Sequence, residues 1–109
     1  MDVAQEDLLA EINAGTAPLI LDVRSSPEFA AGHVPGAVHL PFWSAFVRAG
    51  RIRARRDDPI VIYCGHGPRA HMAASALRLR GFRNLRFLRG HMSGWRRAGL
   101  PLARDPGGR

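Results

Sequence analysis

Short, unbroken apolar runs alternate with stretches of helical periodicity along this chain. Pro18-Leu19-Ile20-Leu21-Asp22-Val23 and Ile60-Val61-Ile62-Tyr63 hold almost no polar residue, as expected of strands covered on both faces. Residues 37–40 and 85–88 make two more such runs, and Val3 is placed in a very short edge strand. Between the runs, apolar residues recur at helical spacing. Leu8, Leu9 and Ile12 form one face of a helix over residues 3–14, acidic at its start and closed by Gly15. Ser26-Pro27-Glu28 reads as a helix start, with Ser26 as N-cap and Pro27 at the first helical position; that short helix carries Phe29 and stops at Gly32. Residues 42–49 are expected to be helical, with Phe42, Trp43, Phe46 and Val47 as the apolar face. Ala70, Ala73, Ala74 and Leu77 share one face of a helix over 69–80, where small residues permit close packing on a sheet. A last helix over 91–98 carries Met92 and Trp95.

Strands that alternate with helices through short connections predict an α/β domain, its mainly parallel sheet of four to five strands flanked by helices on both faces. The domain is expected to span residues 1–103, with the Gly- and Pro-rich residues 104–109 as a flexible tail. Ligands of such sheets bind at the carboxyl ends of the strands, which is where Cys64 falls.

Composition narrows the class. With 46% hydrophobic and 23% charged residues, the 109-residue chain can bury one core and does not resemble a disordered segment. Its one cysteine rules out an internal disulfide framework and suits a reducing compartment. The acidic start, Met1-Asp2-Val3-Ala4-Gln5-Glu6-Asp7, lacks the basic and apolar regions of a signal peptide, and no apolar run is long enough to cross a bilayer. A cytoplasmic location without membrane attachment is expected. The net charge of +7 comes from arginine alone, with no lysine, which points to compositional bias rather than to nucleic-acid binding. Arg48, Arg51, Arg53, Arg55 and Arg56 cluster densely, but Asp57 and Asp58 follow at once and no interleaved aromatics offer a base-stacking platform. The cluster is expected to be a solvated loop.

The chemistry concentrates in Cys64-Gly65-His66-Gly67-Pro68-Arg69-Ala70. A cysteine that ends a buried strand is usually a small space-filling hydrophobe. Here the following residues argue otherwise. Gly65 and Gly67 let the backbone turn tightly and approach a ligand, and successive N–H groups in such a turn form an anion-binding nest. The helix that follows adds unpaired N–H groups and the positive end of its dipole. A thiol held there is expected to ionise near neutral pH. Arg69 brings a fixed positive charge and planar donors suited to an oxyanion. Pro68 has no N–H to give, which leaves Gly65, His66, Gly67, Arg69 and Ala70 as candidate donors. His66 either bonds substrate or faces solvent.

Several separated motifs now come together. They are Leu21-Asp22-Val23-Arg24, Glu28-Phe29, Gly32-His33-Val34-Pro35-Gly36-Ala37, Tyr63-Cys64-Gly65-His66-Gly67-Pro68-Arg69-Ala70, Leu88-Arg89-Gly90-His91-Met92-Ser93-Gly94-Trp95 and Ala98-Gly99-Leu100-Pro101. In this order and spacing, from about Pro18 to Leu102, the chain resembles a single-domain rhodanese. The resemblance implies a parallel five-stranded sheet and a sulfurtransferase that works by double displacement. Cys64 would take the outer sulfur of thiosulfate or a related anionic donor as a persulfide, then pass it to cyanide or a thiol. The loop N–H groups would stabilise the persulfide and Arg69 would hold the donor's anionic end. Asp22 and Arg24 would give polar support beneath the site. No cofactor or metal is implied, and the spacing of Cys64, His66 and His71 matches no zinc pattern.

Two other functions stay open. One is a persulfide carrier or docking module loaded and unloaded by a sulfur-accepting partner protein. The other is a phosphatase or arsenate reductase of the related fold, whose Cys-to-Arg loop is one residue longer than the six residues of Cys64 to Arg69. Cys64-Gly65-x-Gly67 is also similar to the start of the mercaptopyruvate sulfurtransferase loop, from which Arg69 departs, so donor identity stays open with thiosulfate preferred. Outside the loop, His33 is expected to set a turn, Arg24 and Glu28 to pair at the surface, and Trp43, Phe46 and Trp95 to pack in the core or at its rim.

Overall fold

The apolar runs pair into one sheet in a computed structural model that describes residues 2–104; positions 105–109 of the expected tail lie outside the described residues. The strands are β1 (Asp2–Val3), β2 (Leu19–Asp22), β3 (Val38–His39), β4 (Ile60–Tyr63) and β5 (Leu85–Leu88), and the helices are α1 (Gln5–Ala14), α2 (Ser26–Ala31), α3 (Pro68–Leu79) and α4 (His91–Arg97). The sheet order is β1-β5-β4-β2-β3 and every pairing is parallel. The architecture is thus the expected α/β one with five strands, β1 being the short edge strand anticipated at Val3.

β4 occupies the centre, in register with β2 from Leu19↔Ile60 to Asp22↔Tyr63 and with β5 from Ile60↔Leu85 to Ile62↔Phe87. All four of its residues are buried. Alternation sends Ile60 and Ile62 to one face, into a core shared with Ala70, Ala73, Ala74 and Leu77 of α3. Val61 and Tyr63 point to the other, packing with Leu8 of α1, Phe29 of α2, and Met92 and Trp95 of α4. Each aliphatic side chain so enclosed contributes about 1.5–3 kcal/mol relative to exposure. A strand held this way on both faces is a stiff platform for the residue that follows it, Cys64.

Three local expectations are corrected. The N-cap of α2 is Ser25, not Ser26: Ser25 Oγ accepts from the Glu28 N–H, and the Glu28 carboxylate accepts from the Ser25 N–H. The three-residue spacing from Ser25 to Glu28 closes this reciprocal box, which shifts Pro27 to the second helical position. α3 begins at Pro68, one residue earlier than expected. Residues 42–49 do not form an α-helix; Phe42–Ser44 and Ala49–Arg51 are 3-10 turns joined by further turns. The burial of this segment is also inverted. Ser44, Ala45 and Ala49 are buried, while Trp43 (68%), Phe46 (48%) and Val47 (80%) are exposed. Ala45 and Ala49 pack in the core with the alanine face of α3, Phe42 lies half-buried against it, and the Phe42 N–H is tied to the Val23 carbonyl at 2.9 Å. So short a segment has no helical stability of its own to resist that packing.

The arginine cluster is partly structural. Arg48 lies over the Trp43 ring at 5.7 Å, and Arg56 lies over Phe82 at 4.3 Å while donating from Nε to the Arg80 carbonyl at 2.9 Å. Arg51, Arg53 and Arg55 are exposed, as a solvated loop requires. Among the described residues, no helix is long and apolar enough to cross a membrane.

Candidate active site

Immediately after β4 the chain turns through Cys64, Gly65, His66 and Gly67 into α3. Cys64 is fully buried at the floor of this turn. Gly67 adopts φ 139° and ψ −45°, a conformation closed to most side chains. The turn aims the Gly67 N–H at Cys64 Sγ, 2.9 Å away. Burial pushes the thiol up, but the His91 imidazole and the backbone N–H groups of Ala70, Gly67 and His66 outweigh it and bring the thiol from 9.0 down to about 7. The cradle thus favours the thiolate over the thiol. Of the expected donors, the backbone N–H groups of Ala70, Gly67 and His66 act on the sulfur. The His66 side chain itself is exposed, and Pro68, without an N–H, opens the helix.

Asp22 and Arg24 form a buried ion pair. Arg24 Nη2 donates to Asp22 Oδ2 at 2.7 Å and Arg24 Nε to Oδ1 at 3.0 Å, and Arg24 Nη2 also reaches the Gly32 carbonyl at 2.8 Å. Tyr63 joins them: its hydroxyl donates to Asp22 Oδ2 at 2.7 Å and accepts from the Val34 N–H at 3.0 Å. Burial pushes the Tyr63 hydroxyl well above its ordinary value, and the Asp22 charge adds to this. The network fixes the residue just before Cys64 and ties the turn at residues 32–34 to the sheet. His33, stacked on Phe29 with ring centroids 3.7 Å apart, is structural as expected.

The expected pairing of Arg24 with Glu28 is not made, because Arg24 is engaged by Asp22. Glu28 turns instead to Arg69: Arg69 Nη1 and Nη2 donate to Glu28 Oε1 and Oε2 at 2.7 and 3.0 Å. The Arg69 guanidinium draws the Glu28 carboxyl down to about 2, against a smaller opposing effect of burial. A Cβ at Gly65 would lie 3.2 Å from Arg69 Nη2, so the guanidinium stands over the mouth of the cradle.

Residues 4–98 match the Rhodanese-like domain family. The chain belongs to that family. This rhodanese-like domain is 36% identical over 89 residues to a protein of Allochromatium vinosum named sulfurtransferase, covering 82% of this chain and 81% of that one. It is 34% identical over 80 residues to the thiosulfate sulfurtransferase GlpE of Pseudomonas fluorescens, 72% of this chain and 70% of the relative. Over 84 residues it is 31% identical to the putative sulfur carrier protein YrkF of Bacillus subtilis, of which it spans less than half (44%). Among solved structures, a thiosulfate sulfurtransferase from Pseudomonas aeruginosa superposes with a TM-score of 0.83 at 34% identity, over 95% of this chain but only 20% of that one.

Glu28, Tyr63 and His91 all stand in motifs read from the sequence, Glu28 as a partner for Arg24, but the partners they take in the structure were not legible there. Those of Glu28 and Tyr63 lie 41 positions away in each case. His91 follows the last strand, and its ring nitrogen Nδ1 lies 3.2 Å from the Cys64 backbone N. The available signal was topological: β5 neighbours β4, so the residues just past β5 stand beside the loop that leaves β4.

Proposed function

We propose that this protein is a sulfurtransferase that moves sulfane sulfur from a small anionic donor, thiosulfate in the first instance, to a thiol or cyanide through a persulfide on Cys64. The observation that carries it is the thiol itself, brought to about 7 with the Gly67 N–H donating to Sγ at 2.9 Å in a rhodanese-like domain. In the first step the Cys64 thiolate attacks the outer sulfur of thiosulfate. An S–S bond forms to Cys64, the S–S bond of the donor breaks, and sulfite departs with the electron pair. The terminal persulfide anion then lies in the field of the cradle N–H groups. In the second step cyanide or a thiolate attacks that terminal sulfur, and the Cys64 thiolate leaves with the S–S pair. Both steps conserve charge and need no oxidant. Arg69 would steer the dianionic donor to the cradle mouth, and the recessed Sγ suits a single transferred sulfur atom better than a bulky group. Similarity to the GlpE relative supports thiosulfate as the donor.

A second reading, that of a sulfur carrier loaded and unloaded by a partner protein, is favoured by the similarity to YrkF. Intact-mass measurement after incubation with thiosulfate, and separately with mercaptopyruvate, tests the intermediate. A gain of one sulfur that is lost on adding cyanide, and absent from Cys64→Ser, is expected. Rapid turnover marks the enzyme; loading with slow turnover of every small acceptor marks the carrier. No sulfur gain with any donor overturns both.

A further inference from the structure

His91 opens α4 in a conformation that side chains avoid. Its φ is +52°, and it is the non-glycine residue with positive φ among the described residues. It follows Gly90, also left-handed at φ 77°. Such a backbone brings the Cβ close to the following carbonyl, so an L-residue persists there only where its surroundings over-determine it. Those surroundings are the Cys64 loop. The Cys64 N–H donates to His91 Nδ1 at 3.2 Å, the Cys64 carbonyl accepts from the Met92 N–H at 2.9 Å, and the Gly65 carbonyl accepts from the Ser93 N–H at 3.1 Å. Three successive residues of one turn thus hold both backbone groups of the cysteine and the next carbonyl.

The tautomer follows from these bonds. A ring nitrogen that accepts from an amide carries no proton, so in the neutral imidazole the proton is on Nε2. Nε2 points to the other wall of the cradle, 3.4 Å from where a Cβ on Gly67 would lie, and Gly67 is the residue whose N–H meets Sγ. His91 is buried, 8% exposed as a residue. Phe87 of β5 flanks it with centroids 6.4 Å apart, and His71 of α3 stacks on Phe87 in turn. The ionisable group in direct reach is Cys64, with Arg69 charged across the cradle.

We propose that His91 is a positioning residue for Cys64: its Nδ1 fixes the backbone of the nucleophile, and its Nε2–H gives the thiolate side of the cradle a side-chain donor. This rests on Cys64 being the sulfur-bearing nucleophile. The lowered thiol, in which His91 is the largest favourable influence, is consistent with it. Glycine at this position would relieve the backbone and remove the ring, whereas asparagine tolerates positive φ and keeps an acceptor for the Cys64 N–H.

The test reads the thiol directly, so it fails separately from sulfur transfer: the pH dependence of Cys64 alkylation by iodoacetamide in the parent protein, His91→Gly and His91→Asn, with melting temperature alongside. His91→Gly relieves the backbone but loses the acceptor for the Cys64 N–H, so it is expected to stay folded with a modestly lower melting temperature, while its thiol titrates at higher pH and its alkylation rate at pH 7 falls by about three- to tenfold. His91→Asn is expected to fall in between. Superimposable pH profiles for parent and His91→Gly overturn the proposal. Nitrogen-15 NMR of the unmodified protein gives a check that needs no variant: a protonated Nε2 and an unprotonated Nδ1 coupled to the Cys64 amide support it, and the opposite tautomer overturns it.

Discussion

The guanidinium of Arg69 is clasped by both carboxylate oxygens of Glu28, at 2.7 and 3.0 Å, so the cation at the mouth of the Cys64 cradle is already half-committed to an anion. Glu28 has a second duty, since Oε1 also accepts from the Ser25 N–H and Oγ at the start of α2. A donor dianion therefore competes with Glu28 for Arg69.

Glu28→Gln should free Arg69 and lower the KM for thiosulfate several-fold. It should also weaken the α2 cap, with a loss of about 1 kcal/mol because the ion pair is partly exposed, seen as a fall of about 4–8 °C in melting temperature. Arg69→Leu should raise the KM for thiosulfate about tenfold or more through loss of a charged donor. Unchanged KM values in both variants would remove Arg69 from substrate binding.

The pH dependence of sulfur loading should come from Cys64 and not from Glu28. The thiol's folded value of about 7 lies below its ordinary 9.0. Alkylation and persulfide formation should therefore rise with pH and level off above about 7, and the stability gained from the cradle should be lost as pH falls through that value. Glu28, drawn from 4.5 to about 2, contributes stability that is present above its ordinary value and lost only as pH falls toward about 2. Stopped-flow alkylation between pH 5 and 9 checks this: a rate that stays flat across pH 7 in that window would contradict the assignment.

Asp22→Asn leaves the Arg24 guanidinium buried without its counter-charge. The expected cost is about 3–5 kcal/mol, a large part of the stability of a domain this size. Tyr63→Phe removes the hydroxyl that accepts from Val34 and donates to Asp22, at about 1–3 kcal/mol. Urea titration ranks them: Asp22→Asn should have the lower midpoint, and Tyr63→Phe, one residue from the nucleophile, should also slow sulfur loading.

The segment after β3 gives a contrast between large and small residues. Trp43→Ser should change stability by less than about 0.5 kcal/mol, because the side chain is mostly in solvent. Ala45→Leu, a nominally milder change, should cost about 1–3 kcal/mol by overfilling the gap against α3. Melting curves of the two variants decide it, and the reverse order would restore the amphipathic helix.

Local chemistry was legible without the structure. Apolar runs flanked by Gly and Pro marked β2, β4 and β5, because a strand buried on both faces leaves few sites for polar residues. Gly65 and Gly67 between a strand and a helix announced a cradle: Gly67 stands at φ 139°, closed to most side chains, and a Cβ on Gly65 would crowd Arg69 Nη2 at 3.2 Å. Residues 42–49 misled because aromatic spacing outlines an apolar face without saying whether anything covers it; the core beside α3 takes Ala45 and Ala49 with Phe42 half-buried against it, and leaves Trp43, Phe46 and Val47 exposed.

What the sequence determined by itself was therefore the order of elements, the parallel sheet and the position of Cys64 at its carboxyl edge, all consequences of hydrophobic period and backbone freedom along the chain. Only the tertiary structure decided which groups surround the thiol. Glu28 meets Arg69 rather than Arg24, Tyr63 meets Asp22, and His91 meets Cys64 across 27 positions. Periodicity says which face a residue occupies. Pairing among charged and polar side chains depends on which elements the sheet order sets side by side, and on which partner another bond has already taken.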